Sequence, residues 1–270
     1  ERVGRPITKY IYGQFIEHLG NLINHGLWAE LLDDRKFYHP IAAPVEEAEP
    51  AGPPRMRANK WHPMGPESAI TMDSARAYAG DHAPRIALAG EARGIRQGGL
   101  ALRRGREYTG RIVLAAEGAR RVEVALVWGE GSGERQVVSL APGQEYATYP
   151  LAFTAKGDTD AGALEIAASG EGALWIGAVS LMPADNLHGF RREVVDLLKS
   201  LDSGIYRFPG GNFVSNHDWR DAIGDPDRRP PTWDYAWNVA QPNDVGTDEL
   251  VQLCRLLNVE PYITVNAGYG

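Results

Sequence analysis

From about residue 59 to residue 183 the chain is a succession of short β-like runs: "REYTGRIVLAA", "RRVEVALVW", "RQVVSLA", "EYATYPLAFTA", "GALEIAAS" and "ALWIGAVSLM". This constrains the fold more than any other feature. In Val122, Val124, Leu126 and Trp128 every second side chain is apolar, the period of a strand with one buried face. Gly, Asp and Pro turns separate the runs at the spacing of an all-β sandwich, and no helical period of similar strength competes with them. Trp128 and Trp175 lie in these strands. Lying in strongly alternating strands, they read as core residues.

The texture differs on both sides of this zone. Residues 1–40 combine a short strand-like "YIYGQF" with a helical-looking "GLWAELLDDRKF". Residues 41–58, "IAAPVEEAEPAGPPRMRA", read as a linker or surface loop, because proline removes backbone donors and resists both regular structures. After about residue 184 the grammar becomes helix, strand, long loop, helix, strand. "FRREVVDLLKSL" places Phe190, Val194, Leu197, Leu198 and Leu201 on one stripe. "SGIYRF" reads as a buried strand. "GTDELVQLCRLL" reads as a helix with Thr247 as N-cap and Asp248 and Glu249 favoured by the helix dipole. "EPYITVN" reads as another buried strand. This alternation is that of a parallel α/β fold. It reads as the opening of a larger domain, truncated at residue 270.

Composition excludes several classes of function. A formal charge of −7 disfavours nucleic acid and anionic membranes. No run of about 18 apolar residues exists to span a bilayer. The single cysteine, Cys254, forms no intrachain disulfide and fits a reducing compartment, so the expected location is cytoplasmic. The seven histidines form no HExxH and no close His-x-His pair, so no metal or other cofactor is expected. No G-x-S-x-G elbow occurs. Cys254 shares a stripe with Leu250 and Leu257 and reads as core filler.

In parallel α/β barrels functional side chains gather at the C-terminal ends of the strands. Arg207, Asn212 and Asn266 fall at or just after such ends. Arg207 either holds a carboxylate in its planar fork or joins a structural ion pair. Asn212, which both donates and accepts, either binds sugar hydroxyls or forms a turn. Glu17, after "YGQF", is either a hydroxyl-binding or acid–base group or a surface carboxylate. Trp237, in the polar loop "RRPPTWDYAWNVAQPND", offers an indole face suited to sugar C–H surfaces or to packing.

Three segments in order, "IYGQFIEHLGNLINHGLWAELLDDRKFY", "YRFPGGNFVSNHDWRDAIGDPDRRP" and "DYAWNVAQPNDVGTDELVQLCRLLNVEPYITVNAGYG", resemble glycoside hydrolase family 51, the α-L-arabinofuranosidases. The resemblance covers about residues 5–40 and 186–270. It implies the first three strands or so of a (β/α)8 TIM barrel, interrupted by the sandwich. It also implies a retaining glycosidase that removes terminal arabinofuranosyl groups from arabinoxylan- or arabinan-type oligosaccharides. Related β-xylosidase or endoglucanase activity, or a non-catalytic glycan-binding module, are the alternatives.

By the same match, Glu17, Arg207 and Asn212 line the sugar subsite and Trp237 lies on the aglycone side. The acid/base and nucleophile glutamates are expected beyond Gly270, so no catalytic residue is assigned within 1–270. A homo-oligomer is implied. Asn24 and His25 stand where tyrosine and glycine are frequent, and Gln241 and Pro242 where glutamate and threonine are frequent; these departures bear on leaving-group preference. "ARGIRQGGLALRRGREYTGRIVLAA" resembles the family 4/9 type of carbohydrate-binding module, a jelly-roll sandwich.

Overall fold

The computed structural model describes residues 4–19, 22–44 and 60–268. Its strands, in chain order, are β1 (Gln14–Phe15), β2 (His62–Met64), β3 (Ile70–Asp73), β4 (Ala83–Leu102), β5 (Glu107–Val127), β6 (Arg135–Leu140), β7 (Ala147–Thr154), β8 (Thr159–Pro183), β9 (Ile205–Phe208), β10 (Thr232–Asp234), β11 (Val239–Gln241) and β12 (Glu260–Ile263). Helix α1 (Arg192–Ser200) precedes β9, and α2 (Thr247–Leu257) precedes β12. The chain divides into a mainly α/β unit (1–29, 185–229 and 233–270) and a β unit (30–184 and 230–232).

In the β unit three long strands bend and serve two layers. The first halves of β4 and β5 pair with the second half of β8, flanked by β3 and β7; their other halves pair again, flanked by β2 and β6. The result is an antiparallel two-layer sandwich. Runs that read as separate strands are therefore continuous: "REYTGRIVLAA" with "RRVEVALVW" in β5, and "GALEIAAS" with "ALWIGAVSLM" in β8. Glycine makes the bend. Gly118 (φ 64) lies in β5 at a register shift, and a Cβ there would collide with the Glu171 carbonyl of β8.

The core between the layers contains Ile95, Ile112, Leu126, Leu164, Ile176 and Trp128. Trp175 belongs to a separate cluster with Ala115 and Ala173. The Arg76 guanidinium lies 4.2 Å from its ring, and its indole N–H donates to Asp73 at 2.9 Å. Both tryptophans are buried, and neither indole is an open platform.

Residues 30–40, expected with the barrel start, pack in the β unit, and "GLWAELLDDRKF" is not a helix. Tertiary hydrogen bonds override the local helical pattern. The Glu30 carboxylate accepts from the Leu31, Leu32 and Leu181 N–H groups and from the Ser180 hydroxyl (2.6 Å). Asp34 and Phe37 have left-handed backbones. Of the expected 41–58 linker, residues 45–58 lie outside the described residues; residues 41–44 carry no regular structure.

In the α/β unit β1, β9 and β12 form a parallel sheet in that order, with β9 central. Strand order equals chain order and each later strand is preceded by a helix, which is the opening of a (β/α)8 barrel. Helix α2 buries Leu250, Leu253, Cys254 and Leu257, as its stripe predicts. Burial pushes the Cys254 thiol up to about 11, so it is inert at neutral pH. Thr247 is not the N-cap. Gly246 is, and the Glu249 carboxylate at the third helical position accepts its N–H at 2.8 Å, the half of a capping box that needs no side chain on the N-cap. The stripe expected for α1 is also corrected: Val195 is its buried residue, whereas Leu197 and Leu201 are exposed.

Candidate functional site

The site is built at the C-terminal ends of β1 and β9. Parallel pairing sets Phe15 opposite Arg207, and the Ile16 N–H donates to the Arg207 carbonyl at 2.8 Å. Glu17 thereby follows directly from the β1 end. Its side chain is 7% exposed, and its Oε1 accepts the backbone N–H of Phe213 at 3.1 Å. Gly210 (φ 140) makes that approach feasible, because a Cβ there would overlap the Glu17 side chain. No side chain other than hydrogen leaves room for the carboxylate at this turn.

Arg207 is half-buried. Its Nε donates to Thr264 Oγ1 at 3.2 Å, its Nη2 donates to the Gly210 carbonyl at 3.3 Å, and its guanidinium lies 4.7 Å from the Phe15 ring centre. Among the described residues these partners are a hydroxyl, a carbonyl and an aromatic face. Arg207 is thus tied to the same glycine turn that holds Glu17. Asn212 opens the short 3-10 turn Asn212–Asn216 and is exposed, one residue before the amide that binds Glu17. The structure brings Glu17, Arg207 and Asn212 to one turn.

Trp237 sits between β10 and β11. Asp234 Oδ1 accepts the N–H groups of Ala236 (2.8 Å) and Trp237 (3.3 Å), an Asx-type turn that fixes the loop. Asp234 is buried. Burial pushes its carboxyl pKa upward, and the Glu17 charge adds to the shift. Among the described residues Asp234 Oδ2 and Trp237 Nε1 are buried without a hydrogen-bond partner. The turn therefore offers one acceptor and one donor. Such groups are costly to leave unpaired and are met by water or by ligand hydroxyls.

Sequence reasoning missed three contributors. His18 stacks on Phe213 at 4.4 Å, and its Nε2 lies 3.1 Å from the Val245 carbonyl. Burial, with the nearby His217, lowers its pKa to about 3, so the ring is neutral. Asp234 carried an Asx-turn signal in "DYAW". Thr264 stands just past a parallel strand end, the position that the strand-end rule selects. Asn266 donates to the Ser215 carbonyl at 2.9 Å and braces the 3-10 turn.

Glu17 and Arg207 thus stand at the ends of adjacent parallel strands, the place where TIM-barrel enzymes gather their functional groups. Residues 197–270 match the family model "Alpha-L-arabinofuranosidase 1 domain". A probable α-L-arabinofuranosidase C of Aspergillus flavus is 41% identical over 88 residues, 33% of this chain and 18% of that protein. An intracellular exo-α-(1→5)-L-arabinofuranosidase of Acetivibrio thermocellus is 45% identical over 80 residues, 30% of this chain and 16% of that protein. The arabinose complex of the Thermotoga maritima α-L-arabinofuranosidase is 46% identical, covering 30% of this chain and 17% of that one, with a TM-score of 0.30. A CBM4 structure is 15% identical, covering 56% of this chain and 99% of that one, with a TM-score of 0.39. The α/β part of the chain is therefore similar over these residues to α-L-arabinofuranosidases, and the β-sandwich interrupts it in sequence. The chain spans under a fifth of the length of the curated relatives it matches.

Proposed function

We propose that this chain supplies part of the sugar-binding wall of a retaining glycosidase that removes terminal α-L-arabinofuranosyl groups from arabinoxylan- or arabinan-type oligosaccharides. The observation that carries this reading is the buried Glu17 carboxylate held beside Arg207 on one glycine turn at the ends of adjacent parallel strands. Glu17 has a second oxygen to accept a sugar hydroxyl, Asn212 can donate and accept, and Trp237 can stack on the leaving group.

Arg207 supplies a fixed positive charge. Such a charge lowers the pKa of a neighbouring carboxylate and keeps a nucleophile ionised. Retention needs two carboxyl groups about 5 Å apart, one as nucleophile and one as acid/base. In this reading those two glutamates come from outside residues 1–270 of the full-length protein. The enzyme is cytoplasmic and acts as a homo-oligomer.

The test is a panel of aryl glycosides with the full-length protein and its Arg207→Ala variant. The α-L-arabinofuranoside should be the best substrate. Arg207→Ala should lower turnover by on the order of 100-fold or more, the scale for losing one transition-state contact. Preference for a xyloside or glucoside would transfer the assignment to the related activities. Turnover near wild type would remove Arg207 from the site.

A further inference from the structure

Gln241 closes β11 and is 1% exposed. Its Oε1 accepts a hydrogen bond from Asn24 Nδ2 at 3.0 Å, across 217 residues of chain. Its side chain also lies beside the imidazole of His18, the residue after Glu17. Asn24 belongs to the segment that leaves β1 carrying Glu17. There the backbone turns extended (φ −66, ψ 131) and then left-handed at His25 (φ 65). Two backbone bonds close this turn, Leu27 N–H to Leu22 at 3.0 Å and Trp28 N–H to Ile23 at 2.8 Å.

Gln241 follows Trp237 by one short strand segment, and Trp237 is itself fixed by the Asp234 turn. The Glu17 segment and the Trp237 turn therefore meet at a half-buried amide–amide hydrogen bond. Such a bond is directional and uncharged, and the summed length of the two side chains sets a spacing.

We propose that Asn24 and Gln241 are positioning residues: their hydrogen bond sets the separation between the Glu17 wall and the Trp237 wall, and so the sugar and leaving group that the site admits. The proposal rests on the role given to Glu17 and Trp237 above. Both residues are also points at which the sequence departs from the common pattern of the family it resembles. A spacing particular to this protein follows from their direct contact.

The test uses the full-length enzyme with Asn24→Ala, Gln241→Ala and the reciprocal exchange N24Q/Q241N, which keeps the summed reach of the pair. Each alanine variant should raise KM for an aryl α-L-arabinofuranoside by about tenfold while kcat stays within about threefold, the signature of lost binding geometry. The exchange should bring KM back to within about threefold of wild type. Unchanged KM in the alanine variants overturns the proposal. A raised KM that the exchange leaves raised also overturns it, because the effect is then general packing.

Backbone amide exchange at residues 16–19 and 234–237 is measured in the same proteins. Faster exchange in both segments of the alanine variants is expected, and no change in either overturns the latch. That readout holds even when wild-type enzyme proves inactive on arabinofuranosides, an outcome that by itself refutes only the functional reading.

Discussion

Glu17 accepts the backbone N–H of Phe213 across 196 residues, and the space for that contact exists because residue 210 has no side chain. Gly210→Ala would force a methyl group into the Glu17 side chain at a backbone φ of 140. Strain of this kind costs about 1–3 kcal/mol, and relief would displace the carboxylate. The variant should lose roughly 100-fold in kcat/KM, as small misplacements of binding groups do. Steady-state kinetics with a parallel thermal melt checks this. A folded variant with wild-type kcat/KM would show that Glu17 tolerates displacement and is not a binding group.

The parallel unit was legible from period and strand-end position. β9, β12, α1 and α2 all fall inside the segments read for them, but β12, expected as a buried strand, is largely exposed, and the buried face of α1 is not the stripe expected; Glu17, Arg207 and Asn212 lie at one turn past the strand ends. Three kinds of feature were hidden. Glycine-bent strands such as β5 look like two strands, because register continuity is a property of the partner strand. The stretch after Gly26 has helical spacing, but Glu30 bonds β8 and Asp34 closes a local turn by accepting the N–H groups of Tyr38 and His39. His18 and Gln241 find their partners Val245 and Asn24 across 227 and 217 residues, distances over which local pattern carries no information.

Arg229 is the structural counterpart of Arg207. It is buried and donates to both oxygens of Glu249 at 2.9 Å, to the carbonyls of Asn243 (3.1 Å) and Asp244 (3.0 Å), and to Gly224 (2.9 Å). It ties the loop before β10 to the start of α2, where Glu249 also accepts the N–H of the N-cap residue Gly246. Arg229→Ala strands a carboxylate and several carbonyls and should cost about 3–5 kcal/mol. Glu249→Gln keeps one acceptor oxygen and should cost less, about 1–3 kcal/mol. Equilibrium denaturant unfolding measures both. A change below about 0.5 kcal/mol for Arg229→Ala, the scale of a surface position, contradicts the bracing role.

Acid should destabilise the fold through His18 and His217. Burial holds both rings neutral, with pKa values lowered to about 3 and about 4, and Phe213 lies between them at 4.4 Å and 4.7 Å. In the unfolded chain each titrates near 6.5. Between that value and about pH 4 the unfolded chain therefore binds protons that the folded chain refuses, and stability falls as pH falls. The slope approaches about 1.4 kcal/mol per pH unit for each histidine. The carboxyls of Asp34, raised by burial to about 7, and of Asp234 and Asp221 act in the opposite sense, gaining protons in the folded state first, so they offset part of it. The denaturant midpoint should drop from pH 7 to pH 5, and His217→Asn should make the drop shallower by removing one of the two titrating rings. An equal drop in wild type and variant would show that His217 is already protonated in the folded chain, and would remove it from the acid response.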